Sequence, residues 1–136
     1  MIRIVAGPQG TGKTKRMIDL ANEAVKKTSG DIVFIDGDNS HMVEINHNVR
    51  LINANDFDIH KPDAFYGFLC GVIAQDYDID QIFVDGLFSL AQETLQNGEA
   101  FISHIKDLSE QYNIRFVVSI RGDADQLPDY IKPYLA

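Results

Sequence analysis

Apolar positions at the start of the chain fall into two regimes. Ile2, Ile4, Val5 and Ala6 form a short, nearly continuous run of strand length, whereas Met17, Ile18, Ala21, Ala24 and Val25 recur at helical spacing. The alternation then repeats. Asp31 to Ile35 reads as a second buried strand, closed by Asp36-Gly-Asp38-Asn-Ser, and Val49 to Asn53 as a third, shorter one. Pro62 opens a helix with Phe65, Phe68, Leu69, Val72 and Ile73 on one face. Ile82 to Val84 predicts a fourth strand ending in Asp85, and Arg115 to Ile120 a fifth. Between them lie two helical patterns from Leu87 to Tyr112, the second with Phe101, Ile105, Leu108 and Tyr112 on a single stripe. From Asp125 onward, Leu127, Tyr130, Ile131, Tyr134 and Leu135 predict a last amphipathic helix, with Pro128 early and Pro133 distorting or ending it. Strands alternating with helices predict an α/β fold whose parallel sheet is covered on both faces, with ligand beyond the strands' carboxyl ends. No repeat, low-complexity run or linker divides the chain, so residues 1–136 read as one domain.

At the junction of the first strand and first helix stands Gly7-Pro-Gln-Gly-Thr-Gly-Lys-Thr14, a complete match to G-x-x-x-x-G-K-[ST] in the context that motif requires. Glycines let the backbone wrap closely round a polyphosphate, with amide N–H groups pointing inward beside the positive end of the helix. The expected phosphate-binding set is Gly7, Gln9, Gly10, Thr11, Gly12, Lys13, Thr14 and Lys15. Lys13 supplies charge for the β- and γ-phosphate oxygens, and the Thr14 hydroxyl a ligand for Mg²⁺. Asp85, delivered by an apolar strand to its carboxyl end, is the expected second holder of the metal, through water. Hydrolysis also needs a group to orient water. No acid follows Asp85 directly, since Gly86, Leu87 and Phe88 come next, so the acidic cluster after the second strand is the best source of a base.

Composition narrows the partners. A net charge of −8 with only 12 Lys and Arg argues against a nucleic acid as main partner. Lys26 and Lys27 fall at a helix end, where cations favour the dipole. The single cysteine, Cys70, lies among Phe68, Leu69, Val72 and Ile73 and reads as a small core residue without a disulfide partner. With the first strand beginning at once and no apolar run of membrane-spanning length, the expected setting is a reducing cytoplasm, away from membranes. His41, Glu44 and His47 recur three apart, but the spacing matches no zinc-protease motif and a polar surface turn accounts for them. No Asn-Lys-x-Asp element follows a late strand, which favours ATP over a guanine nucleotide.

The series Gly7 to Thr14, Phe34-Ile-Asp-Gly-Asp38, Ile82-Phe-Val-Asp85 and Ser119-Ile-Arg121 resembles the RecA-type P-loop ATPases in order and interval, over most of residues 2 to 121. The resemblance implies a three-layer, RecA-like P-loop NTPase fold with a mainly parallel five-stranded sheet. In that family the second strand closes on a glutamate that activates water, and Asp38 stands at its place, one methylene shorter. Ser119 stands where the family carries a polar residue, commonly Gln, that senses the γ-phosphate; Arg121 lies two residues on, as a charge contact or an exposed strand-end arginine. The candidate catalytic set is therefore Lys13, Asp38 and Ser119, with Thr14 and Asp85 for the metal. The family's DNA-binding loops, filament segment and C-terminal domain have no room here. A weaker similarity, to small bacterial ATP-binding proteins labelled as twitching-motility ATPases, lacks the acidic and histidine boxes of the pilus motors.

The expectation is a Mg²⁺-dependent ATP-binding protein with slow ATPase activity, since misplacing a base by near an ångström costs on the order of 10²-fold. A nucleotide-dependent switch that binds a protein partner without hydrolysis is the alternative, and a small-molecule kinase the third. A homo-oligomer completing the site with a neighbour's arginine is also open under the resemblance.

Overall fold

A computed structural model describes all residues, 1–136, and its centre is one five-stranded sheet with every pairing parallel. The elements follow as β1 (Ile2–Gly7), α1 (Lys13–Lys27), β2 (Asp31–Asp36), β3 (Arg50–Asn53), α2 (Pro62–Ala74), β4 (Ile79–Val84), α3 (Leu87–Ala91), α4 (Glu99–Tyr112) and β5 (Arg115–Arg121). Across the sheet the order is β1-β5-β4-β2-β3. The α/β architecture expected from the alternating pattern is therefore present, as three layers. β4 begins three residues earlier than its apolar run suggests, because Asp80 and Gln81 interrupt the signal without interrupting the strand.

Handedness distributes the helices. The crossover from β1 to β2 moves one way across the sheet and carries α1; those from β3 to β4 and from β4 to β5 move the other way and carry α2, α3 and α4. Right-handed connections running in opposite directions lie on opposite faces. Accordingly, α1 packs Met17, Ile18 and Ala21 with Ile32, Phe34, Phe83 and Val117 in one cluster. The opposite cluster joins Phe65, Leu69, Phe101 and Ile105 to Val33, Ile35, Ile82 and Val118. Both faces of each central strand are thus buried, which is why they are almost continuously apolar. Phe34 and Phe83 sit opposite each other in register and stack with centroids 6.1 Å apart, an aromatic pair worth about 0.5–1.5 kcal/mol beyond its area.

One expected element does not form. The segment after β5 has no α-helix, only 3-10 turns at Ala124–Gln126 and Lys132–Tyr134. Pro133 lacks an N–H, and in a helix its ring would strike the carbonyl of Asp129. The apolar positions still do their work: Leu127 and Ile131 are buried, and Leu135 makes a parallel bridge to Ile4 along the free edge of β1. Tyr112, expected on the buried stripe of α4, is half exposed at that helix's last position. Cys70 is partly buried and free. No helix is long and apolar enough to cross a membrane.

Candidate functional site

Strand periodicity decides which side chains meet. Phe34, Phe83 and Val117 point to the α1 face, so with a period of 2 the next residue but one on each strand points the same way at the carboxyl end. These are Asp36, Asp85 and Ser119, and α1 begins at that same end. The loop from Gly7 to Gly12 folds over them. Gly10 and Gly12 both take φ of +81°, in the left-handed region that favours glycine, and Gly12 caps α1. No side chain caps this helix and no acidic residue lies in its first turn, so its positive end faces the loop unneutralised. The Thr11 hydroxyl donates to the Pro8 carbonyl at 2.6 Å and Lys13 Nζ donates to the same oxygen at 2.7 Å. The Gly122 N–H donates to the Gly7 carbonyl at 3.0 Å, tying the loop to the end of β5.

Asp85 is held from two sides. Thr14 Oγ1 donates to Asp85 Oδ2 at 2.8 Å, and Ser119 Oγ donates to Oδ1 at 2.6 Å while accepting the Gly86 N–H at 2.7 Å. Ser119 is buried, and its one O–H donor is spent on Asp85. The loop, Thr14, Asp85, Ser119 and Arg121 line one cavity of about 500 Å³ that no hydrophobic residue enters. Asp85 is its only carboxylate. Gln9, Gly10, Gly12, Lys13 and Thr14 of the expected phosphate-binding set are in its wall. Gly7 and Thr11 lie on the loop's other side, along a cavity with Arg16. Lys15 points away and pairs with Asp19 at 3.2 Å on the helix surface.

The acidic cluster after β2 arranges itself differently from the expectation for Asp38. Asp38 is exposed, outside the cavity wall, with Oδ1 accepting both the Ser40 N–H at 2.8 Å and the Ser40 hydroxyl at 2.6 Å. Those bonds hold its carboxyl below the ordinary range. Asp36 is the buried member: Oδ1 accepts the Gly37 N–H at 2.7 Å, and Oδ2 is buried with no partner. Burial pushes its carboxyl above the ordinary value, and the charges of Asp85 and Asp38 push further against the Gly37 bond. The strand runs one residue past its last apolar position, so Asp36 belongs to the inward alternation and Asp38 does not.

His41 is the residue that sequence reasoning set aside and the fold brings in. It lines the cavity, with Nδ1 2.7 Å from Glu44 Oε2. That bond, with the carboxylates of Glu44, Asp36 and Asp38 around it, raises the imidazole above its ordinary value against the effect of burial. His47 lies outside the cavity. Periodicity gives no signal for His41, because it sits in a turn.

The residues present fit a magnesium nucleotide. The uncapped helix end and Lys13 suit a polyphosphate, while the adjacent Thr14 and Asp85 oxygens are hard ligands of the kind Mg²⁺ takes while keeping several waters. No protein-family model matches this chain, and no curated protein matches it.

Proposed function

We propose that the chain is a Mg²⁺-dependent ATP-binding protein with slow ATPase activity, on a RecA-like P-loop fold. The observation that carries the proposal is the contact between Thr14 and Asp85, residues 71 positions apart, directly beneath a glycine loop that opens an uncapped helix. Loop amides and Lys13 bind the phosphates, Lys13 exchanging the Pro8 carbonyl for phosphate oxygen. Thr14 and Asp85 would hold magnesium, which when bound neutralises charge on the β- and γ-phosphate oxygens. Ser119 acts through Asp85, fixing its rotamer, and so takes a positioning role in place of direct phosphate sensing. Asp38 stands as the base under the resemblance, although its side chain lies outside the cavity wall with Oδ1 held by Ser40. That position, with Asp85 as the only carboxylate in the wall, supports slow turnover.

The same observation favours one other reading, a switch that binds ATP and presents an altered surface to a protein partner or a second copy without hydrolysis. Equilibrium binding and phosphate release on the purified protein separate the two. Lys13→Ala should weaken Mg²⁺-ATP binding by about 100-fold, the equivalent of a charge-assisted contact at the strong end, with folding unchanged because Lys13 bonds only at the loop surface. Turnover that falls sharply in Asp38→Asn supports the enzyme; ATP held for many hours without phosphate release supports the switch. Unchanged ATP affinity in Lys13→Ala would sink both.

A further inference from the structure

We propose that His41 reads the terminal phosphate of the bound nucleotide, making the site selective for a nucleoside triphosphate over the diphosphate; this rests on the nucleotide reading above. The cavity has a direction. Its loop comes from β1, at one edge of the sheet, while His41 comes from the turn after β2, the strand on the far side of β4 from the loop. Between those strands β4 delivers Asp85, bonded to Thr14, the pair whose oxygens would hold magnesium and supply charge neutralisation for the phosphates. A side chain entering beyond that pair meets the terminal phosphate, whereas the loop amides hold the phosphate nearer the helix.

His41 is also prepared for an anion. Nδ1 is engaged by Glu44, so Nε2 is the ring nitrogen left to bond a ligand. Glu44 is fixed in turn: its carbonyl accepts Asn22 Nδ2 at 3.0 Å, and the Asn46 N–H donates to Asn22 Oδ1 at 2.8 Å. Asn22 belongs to α1, the helix that the phosphate loop opens, and Ile45 beside it is buried against the same helix. The turn bearing His41 is therefore tied to the helix that the phosphate loop opens. The groups sharing the neighbourhood are Glu44 and Asp38 from the turn, Asp36 from β2, Asp85 after β4, Lys13 from α1 and Arg121 from β5. Three carboxylates close to the ring favour its cationic form.

Calorimetric titration of Mg²⁺-ATP and Mg²⁺-ADP into wild type, His41→Gln and Glu44→Gln tests this. His41→Gln should weaken ATP by about 10-fold, a typical loss for one charge-assisted hydrogen bond, and leave ADP within about 2-fold. In wild type the ATP-over-ADP preference should fall as pH rises through the range where an imidazole loses its proton, and in His41→Gln it should be flat. Glu44→Gln should move that fall to lower pH. Equal weakening of both nucleotides, or an unchanged ratio, overturns the role of His41 while leaving nucleotide binding intact. Wild type that binds neither nucleotide overturns the underlying reading, and this inference with it. Unaltered thermal midpoints show that His41→Gln acts on the ligand and not on the fold.

Discussion

Replacing Ser119 with alanine separates two roles for that residue by a stability measurement. Its hydroxyl is buried, donates to Asp85 Oδ1 at 2.6 Å and accepts the Gly86 N–H at 2.7 Å. Alanine removes both bonds at once. A hydrogen bond to a charged group contributes about 1.5–3 kcal/mol, and a buried amide left unpaired costs on the order of 1 kcal/mol or more. Asp85 keeps its bond to Thr14, so about 2–4 kcal/mol in total is a reasonable loss. The unfolding entropy of a chain of 136 residues is about 0.29 kcal/mol/K. The expected fall in Tm is therefore about 7–14 °C, measured by calorimetry without nucleotide. A residue whose task is to touch the γ-phosphate has no such stability to lose. If Ser119→Ala melts within about 2 °C of wild type while losing preference for ATP over ADP, the positioning role is refuted.

Two further substitutions probe a buried carboxylate and a tight packing contact. Asp36→Asn should stabilise the protein at pH 7 by about 1 kcal/mol, because a neutral amide is less costly to bury than an unpartnered carboxylate and still accepts the Gly37 N–H. The sign follows from the raised folded-state value: the native state binds this proton more tightly than the unfolded chain, so Asp36 supports folding most below 3.8 and progressively less as pH rises through its folded value. Urea melts at pH 7 and pH 4 should show the variant's advantage shrinking in acid, and a variant less stable at pH 7 contradicts the argument. Gly98→Ala should cost about 1–3 kcal/mol through overpacking, since a Cβ there meets Tyr130 Oη at 2.8 Å and the Phe88 ring at 2.9 Å. Because Tyr130→Phe also loses the hydroxyl's bond to the Leu95 carbonyl at 2.6 Å, the comparison is made within that background: Gly98→Ala should cost less in Tyr130→Phe than in wild type by chemical denaturation, and an equal cost assigns the loss elsewhere.

The strands and the glycine loop were legible because each carries a local signature: an unbroken apolar run for a strand buried on both faces, and a fixed spelling for a backbone that must turn left-handed at Gly10 and Gly12. Asp85 followed from its strand. Asp36 was legible in principle, since it continues the inward alternation of Ile32 and Phe34, but the resemblance pointed two residues further on. The last helix was misread because hydrophobic spacing records which residues are buried and not which backbone buries them. Leu127 and Ile131 reach the core from turns that tolerate Pro128 and Pro133, as a helix does not. His41 showed locally only as one of three polar residues recurring three apart in a turn, and nothing in that spacing reveals that Asn22, on another element, holds the turn in place.

The position of β1 in the sheet sets the order in which the molecule can be assembled. Its pairing runs from Ile2 with Phe116 to Gly7 with Arg121, and no other strand borders it. The strand that anchors the glycine loop therefore stays unpaired until β5 is in place, since Ile2 finds its partner only at Phe116. Such long-range pairing carries its loop-closure cost before any contact repays it, so it belongs to the slow end of folding. Under the proposed function, the free energy of nucleotide binding would stabilise no early local hairpin and would be added to the closure of the whole sheet, from Ile2 to Arg121.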